Sequence, residues 1–224
     1  MTNPVAEPPK PAPFPATSGT PGPHSQARGK VLPGTEPVGS HGDSAAFGEP
    51  QKPVVHGSPR VVLVGPPGAG KSTIGRRLAR AMNLPLVDSD DLIAKGEGKP
   101  TGEVYSDLGE ERFREVEAGY VARSLASGGV VSLGGGAVVT ESTRKLLQAH
   151  NVVWIDVSVE EGVRRTSGND SRPVLQADDP EAHYRALLES REPYYREVAM
   201  HRVRTDSRPP QRLVAEILSL IDPQ

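Results

Sequence analysis

The sequence predicts an α/β fold built on a parallel sheet, and three observations carry this prediction. Short, β-branched apolar runs such as residues 60–64 recur along the chain, and such runs are typical of strands buried on both faces of a parallel sheet. Segments with helical periodicity separate these runs. The first run leads directly into a glycine-rich loop and the start of a helix, at residues 65–73.

Residues 1–58 differ in composition from the rest of the chain. They contain twelve of the 23 prolines and only Phe14 and Phe47 as aromatic residues. Such a segment buries too little apolar surface to offset the entropy lost on folding. We therefore predict a disordered N-terminal extension over residues 1–58 and one folded domain over residues 59–224. Residues 8–15 resemble a polyproline ligand for a partner, although a passive tail is the simpler interpretation.

The composition excludes several classes of function. The formal net charge is −2, and no basic arm is present, so we expect no nucleic-acid partner. The absence of cysteine excludes disulfides and thiol catalysis and fits a cytoplasmic protein. No apolar run in the extension is long enough for a signal peptide or a membrane span, so we expect no membrane partner. Nothing resembles a coiled coil, which makes a monomer the expectation.

The loop after the first strand matches the phosphate-binding pattern G-x-x-x-x-G-K-S/T. Its glycines allow backbone N–H groups to point inward at phosphate oxygens. Lys71 can reach the β- and γ-phosphates of a nucleotide, and Ser72 can place its hydroxyl on Mg²⁺. A chance glycine-rich turn is the alternative, but the position between a strand and a helix favours phosphate binding. The predicted nucleotide contacts in this loop are Gly68, Ala69, Gly70, Lys71, Ser72 and Thr73.

A second short strand, residues 84–88, ends in acidic residues. Ligands of parallel sheets bind beyond the carboxyl ends of the strands, so Asp88 and Asp90 are expected to face the crevice that holds Lys71. If the extended conformation persists, the two carboxylates share one side, one near the metal's water shell and one near an acceptor hydroxyl. Alternatively, Asp88 or Ser89 only caps a helix that starts near Asp91.

The next segment carries an arginine on a long helix. Glycine and proline residues between positions 96 and 102 are predicted to break any long helix, and a new one opens at Gly109. Arg114 on this helix could fork onto the carboxylate of a ligand. It could also be a solvated partner of one of its own neighbours, Glu110, Glu111 or Glu117.

Three consecutive glycines, residues 134–136, follow the third buried strand at residues 130–133. Such a run is costly in backbone entropy, so we expect some group to approach the backbone closely there. A simple flexible turn is the alternative. The fourth and fifth strands are predicted at residues 151–157 and 201–205, with Trp154 packed in the core.

In order and spacing, these motifs resemble the shikimate kinase family. The resemblance covers about residues 60–220, and it implies a three-layer αβα, nucleoside-monophosphate-kinase-like P-loop core with a five-stranded parallel sheet. It implies transfer of the γ-phosphoryl group of ATP, with Mg²⁺, to the 3-hydroxyl of shikimate. The motifs that carry it are residues 65–73, Asp88-x-Asp90, Phe113-Arg114-x-x-Glu117, residues 132–137, Arg164-Arg165-Thr166, Arg172-Pro173-Val174-Leu175 and Arg191-x-Pro193-Tyr194-Tyr195.

The resemblance implies roles for the acceptor residues. Asp90 is expected to bind the shikimate hydroxyls and is the favoured base, and Arg114 and Arg191 are expected to grip the carboxylate. These roles are chemically coherent, because a small anion with several hydroxyls needs a guanidinium fork at one end and a carboxylate at the other. The backbone N–H groups expected against the substrate are those of Gly134, Gly135 and Gly136.

The resemblance implies roles for the nucleotide residues as well. Asp88 is expected to hold the Mg²⁺ water shell beside Ser72. The polar stretch at residues 167–180 suits a lid that orders on ATP, or a plain surface loop, and Arg172 within it is expected to bridge the phosphates. Arg165 and Arg208 are expected to flank the adenine. The implied catalytic residues are Lys71, Asp90 and Arg172.

Two positions depart from the family pattern, and two other functions are open. Thr101 stands where an apolar residue is usual, and Tyr105 where a phenylalanine is common, which leaves the pocket shape in question. A related small-molecule kinase such as gluconate kinase is the first alternative, and a catalytically silent nucleotide-binding regulatory module is the second. The glycine run at residues 134–136 and the arginine pair together argue against the first. The intact Lys71, Ser72, Asp90 and Arg172 argue against the second.

Overall fold

The computed structural model of the protein describes residues 57–167 and 179–222. Residues 1–56 of the predicted extension therefore lie outside the described residues. The same holds for residues 168–178 of the predicted lid, including Arg172. Within the described ranges, no helix combines the length and apolar character needed to cross a membrane.

Strands and helices alternate along the described residues. The strands are β1 (Val61–Val64), β2 (Leu86–Asp88), β3 (Val130–Ser132), β4 (Val152–Asp156) and β5 (His201–Arg204). The helices are α1 (Lys71–Ala81), α2 (Ser89–Glu97), α3 (Thr101–Leu125), α4 (Glu141–Leu147), α5 (Val159–Thr166), α6 (Pro180–Val198) and α7 (Pro210–Ile221), with a short 3₁₀ helix at Ala137–Val139.

The five strands form one parallel sheet in the order β2-β3-β1-β4-β5. The two faces of β1 bury different residues because side chains alternate along a strand. Val61 and Leu63 pack with residues of α1 and α7, while Val62 and Val64 pack with residues of α3, α4 and α6. Helices thus cover both faces, and the predicted three-layer αβα architecture is confirmed.

The central position of β1 decides where ligands can bind. β1 lies between β3 and β4, and the loop to α1 leaves its carboxyl end. Ligands of open parallel sheets bind in the crevice outside these carboxyl ends. Trp154 on β4 is buried and stacks on Tyr195 with ring centroids 5.7 Å apart, as expected of a core residue.

Two local features differ from what the sequence suggested. The extended conformation does not continue past Asp88, because its Oδ1 accepts a hydrogen bond from the backbone N–H of Asp90 at 3.0 Å and caps α2. Asp90 therefore lies in the first helical turn. The break expected over residues 96–102 is also narrower, since Gly96 lies within α2 and Gly102 within α3.

Gly109 is the site of a kink rather than a helix start. Its φ of 73° and ψ of 168° interrupt α3, which continues on both sides. The positive φ is a conformation that glycine adopts at little cost. The kink separates the part of α3 that begins at Thr101 from the part that carries Arg114.

Candidate functional site

The phosphate-binding loop joins β1 to α1, and Lys71 is the first residue of the helix. The lysine side chain is only 8% exposed, and its Nζ donates to the backbone carbonyls of Gly65 at 2.8 Å and Pro66 at 3.0 Å. The N-cap residue, Gly70, provides no side-chain cap, so the first N–H groups of α1 have no side chain covering them there. A lysine and a helix N-terminus at one point have the charge and the N–H donors that phosphate binding requires.

Gly65 allows the loop to pass directly over β4. Its φ is 144°, and a Cβ at this position would lie 3.1 Å from the carbonyl carbon of Ile155 and closer still to the carbonyl oxygen. Because that contact is with backbone, a larger residue could not be accommodated by a side-chain rotation. The loop conformation therefore depends on glycine here.

An oxygen pair lies beside the loop. The Ser72 hydroxyl donates to Oδ2 of Asp88 at 2.8 Å, while Oδ1 of the same carboxylate caps α2. Asp88 thus serves as a helix cap and also reaches the phosphate loop. The cap interpretation is confirmed, and the contact with Ser72 places the same carboxylate beside the phosphate loop, where its role toward a metal's water shell stays a prediction.

The glycine run after β3 lies against the three side chains that were predicted to bind the acceptor. A Cβ at Gly134 would lie 2.6 Å from Oδ1 of Asp90, and a Cβ at Gly136 would lie 2.7 Å from Nη2 of Arg114. The carbonyl of Gly135 accepts hydrogen bonds from Nη1 of Arg191 at 3.1 Å and from the hydroxyl of Tyr195 at 2.7 Å. None of the three glycines has a positive φ, so close approach rather than backbone conformation requires them. The structure therefore brings Asp90, Arg114 and Arg191 together around one backbone segment.

Arg114 belongs to a buried ion pair. Its Nη1 donates to Oε2 of Glu117 at 2.6 Å, and the two side chains are 14% and 3% exposed. The alternative was right about the partners, since Nη2 also lies 3.5 Å from Oε1 of Glu110, but the pair with Glu117 is buried rather than solvated. Burial raises the pKa of Glu117, and the neighbouring Arg114 guanidinium opposes this rise. Arg114 Nε is buried and makes no hydrogen bond within the described part of the chain, so the pair still has donor capacity to offer a ligand.

The two residues that depart from the family pattern also lie on the acceptor side. The Thr101 hydroxyl donates to the backbone carbonyl of Asp90 at 2.8 Å. The Tyr105 ring packs edge-on against Phe113, with centroids 5.2 Å apart, and lies 5.9 Å from Cζ of Arg114. Thr101 therefore contacts the backbone of Asp90, and Tyr105 packs beside Arg114.

A cavity of about 210 Å³ adjoins the other side of the phosphate loop. Both arginines that were expected to flank adenine line this cavity. Arg165 Nη1 donates to the carbonyl of Gly68 at 3.3 Å, and Arg208 forms an ion pair with Glu216. The lining residues are Ala69, Gly70, Thr73, Ile74, Arg165, Thr205, Arg208, Pro210 and Leu213.

Of three further residues of the site, Thr205 was given no role from the sequence, while Glu117 and Ser89 were named only as a possible neighbour of Arg114 and a possible helix cap. Glu117 pairs with Arg114 inside the protein, and the only signal was its spacing of three residues within a motif. The buried Ser89 hydroxyl accepts from the N–H of Gly134 at 2.9 Å, which joins α2 to the glycine run. Thr205 lines the cavity, and its position in a weak strand carried no signal.

The fold and this site define a small-molecule kinase of the P-loop class. A family model described as shikimate kinase matches residues 67–222. The chain belongs to the shikimate kinase family. This membership decides against the gluconate kinase-like alternative.

Individual relatives agree with the family match. A shikimate kinase of Corynebacterium efficiens is 70% identical over 160 residues, which span 71% of this chain and 95% of that protein. A shikimate kinase of Corynebacterium glutamicum is 64% identical over 160 residues, again 71% of this chain and 95% of that protein. The solved shikimate kinase of Acinetobacter baumannii, in complex with shikimate, superposes with a TM-score of 0.70 at 36% identity and covers 73% of this chain and 93% of its own.

Proposed function

We propose that this protein transfers the γ-phosphoryl group of ATP to the 3-hydroxyl of shikimate, giving shikimate 3-phosphate for aromatic amino-acid biosynthesis. The observation that carries the proposal is the glycine run at residues 134–136, with Asp90 on one side and Arg114 and Arg191 on the other. One carboxylate and two guanidinium groups around a single backbone segment match a small anion that bears hydroxyls. The relative solved with shikimate supports the same acceptor.

Lys71 and the start of α1 are proposed to bind the phosphates of ATP. Lys71 Nζ contacts two carbonyls of its own loop. When ATP binds, the ammonium group is expected to exchange these contacts for contacts with the β- and γ-phosphate oxygens. Phosphoryl transfer requires positioning and charge neutralisation more than covalent chemistry. Arg172, which lies outside the described residues, is proposed from the family resemblance to bridge the phosphates.

Ser72 and Asp88 have the chemistry to hold Mg²⁺. Their oxygens are 2.8 Å apart, and hard oxygen ligands are what this ion prefers. Among the described residues, no group of three or more His, Asp or Glu side chains forms a metal cage. This fits an ion held by Ser72, by phosphate oxygens and by waters that Asp88 orients. Bound there, Mg²⁺ would neutralise charge on the β- and γ-oxygens.

Asp90 is proposed to aim the acceptor hydroxyl and to take its proton. Its backbone is fixed by two hydrogen bonds, from its N–H to Asp88 and from Thr101 to its carbonyl. Its Oδ1 lies against Gly134, where the acceptor would meet the backbone. A base helps only modestly in a loose phosphoryl-transfer transition state, so positioning is expected to matter at least as much.

Asp90→Asn tests this role. The amide keeps the size of the carboxylate but loses its charge and basicity, so we expect kcat to fall by about 10²-fold while the KM for ATP stays unchanged. The measurement is steady-state ADP release with each substrate varied. Asp91→Asn is the matched control, because Asp91 is an exposed neighbour on the same helical turn. A full kcat in Asp90→Asn would overturn the assignment.

Gly136→Ala tests the close approach to Arg114. A Cβ there would lie 2.8 Å from Arg114 Cζ, so the guanidinium must shift. We expect the KM for shikimate to rise about tenfold, with the KM for ATP unchanged. Gly119→Ala on α3 is the control, since a Cβ at Gly119 meets nothing within 4 Å. Equal shikimate KM values in the two variants would contradict the proposed contact.

The decisive experiment for the whole proposal is a coupled ADP-release assay on the purified chain with ATP and Mg²⁺. Shikimate, gluconate and no acceptor are compared. Turnover that depends on shikimate supports the proposal and excludes a catalytically silent module. ATP binding without shikimate turnover would overturn it.

The proposal also includes a monomer, which size-exclusion chromatography with light scattering tests. It includes a cytoplasmic location as well, which fits the need for ATP and the lack of cysteine.

A further inference from the structure

We propose that Thr205 is a positioning residue of the nucleotide site, which holds Arg165 in place relative to the phosphate loop. The inference rests on the proposed function, because the ligand of this site is taken to be ATP. Thr205 follows β5 directly and is 2% exposed. Because threonine carries no charge, we argue its role from its hydrogen bonds.

The hydroxyl of Thr205 joins three separate parts of the fold. It accepts a hydrogen bond from Nη1 of Arg165 at 3.0 Å. Its single proton can be donated to the carbonyl of Asp156 at 3.0 Å or to that of Ala69 at 3.3 Å. One buried side chain therefore connects the end of α5, the end of β4 and the phosphate loop.

The backbone of Thr205 adds contacts to both arginines of the cavity. Its carbonyl accepts from Nη2 of Arg165 at 3.3 Å and from the backbone N–H of Arg208 at 3.4 Å. Its own N–H donates to the carbonyl of Asp156 at 3.0 Å, which continues the pairing of β5 with β4. Thr205 thus connects the guanidinium of Arg165 and the backbone of Arg208 to the carboxyl end of β5.

The guanidinium of Arg165 is held from the other side too. Its Nε donates to Oε1 of Glu161 at 2.7 Å, and its Nη1 reaches the carbonyl of Gly68 in the phosphate loop at 3.3 Å. Glu161 fixes the group along α5, and Thr205 fixes its distance from the loop. Since a planar guanidinium stacks well on a base, its orientation decides how well the adenine fits.

Loss of the hydroxyl should disturb this arrangement more than the loss of one neutral hydrogen bond would suggest. Valine has nearly the shape of threonine but offers neither donor nor acceptor. The half-buried Arg165 Nη1 would keep only the carbonyl of Gly68, and the buried carbonyl of Ala69 would lose a donor. A buried polar group deprived of its partner costs more than a hydrogen bond normally contributes.

The test is isothermal titration of ATP with Mg²⁺ into wild type, Thr205→Val and Thr205→Ser, followed by steady-state kinetics with both substrates varied. For Thr205→Val we expect the Kd for ATP to rise about tenfold and the KM for shikimate to stay unchanged. Thr205→Ser keeps the hydroxyl and should bind ATP like wild type. Thr143→Val is the matched control, because Thr143 is buried on α4 and its Oγ1 makes no hydrogen bond in the described ranges.

A double-mutant cycle separates positioning from general stability. If Thr205 acts through Arg165, then Thr205→Val should change ATP binding little once Arg165 is replaced by lysine. Additive effects in the double variant would overturn the inference, as would a wild-type Kd for ATP in Thr205→Val or an equal rise in both substrates' KM. If Thr205→Val does not fold, Thr205→Ala is measured in the same way.

The same data keep this inference distinct from the proposed function. Titration of ATP needs no acceptor, so the Thr205 effect is measured whether or not shikimate is the substrate. Absence of shikimate turnover in the wild type would overturn the proposed function alone. If the wild-type protein turns over shikimate and Thr205→Val binds ATP with an unchanged Kd, only the inference about Thr205 is overturned.

Discussion

Lys71→Met is expected to abolish measurable phosphoryl transfer, a loss of about 10³-fold or more in kcat, while the protein stays folded. The Lys71 ammonium is the one charged group of the phosphate loop, and it can neutralise the negative charge that develops on the γ-phosphate oxygens. Methionine has similar bulk but no charge. Lys71 lies at the first position of α1, beneath the loop, where it is largely buried. Its removal therefore affects the nucleotide site directly.

The fold should survive this change for a structural reason. Lys71 Nζ donates to the carbonyls of Gly65 and Pro66, and the Pro66 carbonyl also accepts from the N–H of Ala69 at 3.3 Å. The sheet pairing of β1 does not involve the lysine side chain. Thermal unfolding followed by circular dichroism measures the fold, and coupled ADP release measures transfer.

Arg77→Met is the matched control for Lys71→Met. Arg77 lies on the exposed face of the same helix, so the same change of a cation to methionine is made away from the loop. We expect wild-type turnover from this variant. A Lys71→Met protein that is folded and active would show that the phosphate loop does not perform the assigned chemistry.

The strands and the phosphate loop could be predicted because their signals are local. Apolar runs identify β1 and β4, and the glycine-lysine pattern is continuous in the chain. The order β2-β3-β1-β4-β5 carries no such signal, since each pairing joins segments that are distant in sequence. That all five strands belong to one sheet was implied only by the family resemblance.

The errors and omissions in the site have a common cause. For Asp90 the sequence left an extended segment and a capped helix both open, and the Asp88 cap starts α2 before it. Arg114 was left between two interpretations, because burial of its pair with Glu117 depends on how α3 packs. Thr205 contacts Arg165 across 40 residues and Ala69 across 136, so no local pattern could indicate it.

Arg191→Ala is expected to weaken shikimate binding by roughly 2–5 kcal/mol, if its pair with the substrate carboxylate is desolvated. Arg191 lies on α6 and reaches the glycine run, where its Nη1 donates to the carbonyl of Gly135 at 3.1 Å. That carbonyl keeps the Tyr195 hydroxyl at 2.7 Å after the substitution. Alanine also favours the helix, so the backbone of the site should remain in place.

The kinetic pattern tells a carboxylate contact from a general loss of structure. The KM for shikimate should rise steeply and the KM for ATP should not change, since Arg191 lines no part of the cavity beside the phosphate loop. Arg191→Lys keeps the charge but loses the planar fork, and an intermediate effect is expected. Arg185→Ala, on the same helix but exposed and paired only with Glu181 among the described residues, is the control. Unchanged shikimate affinity in Arg191→Ala would mean that Arg114 alone, or another group, binds the carboxylate.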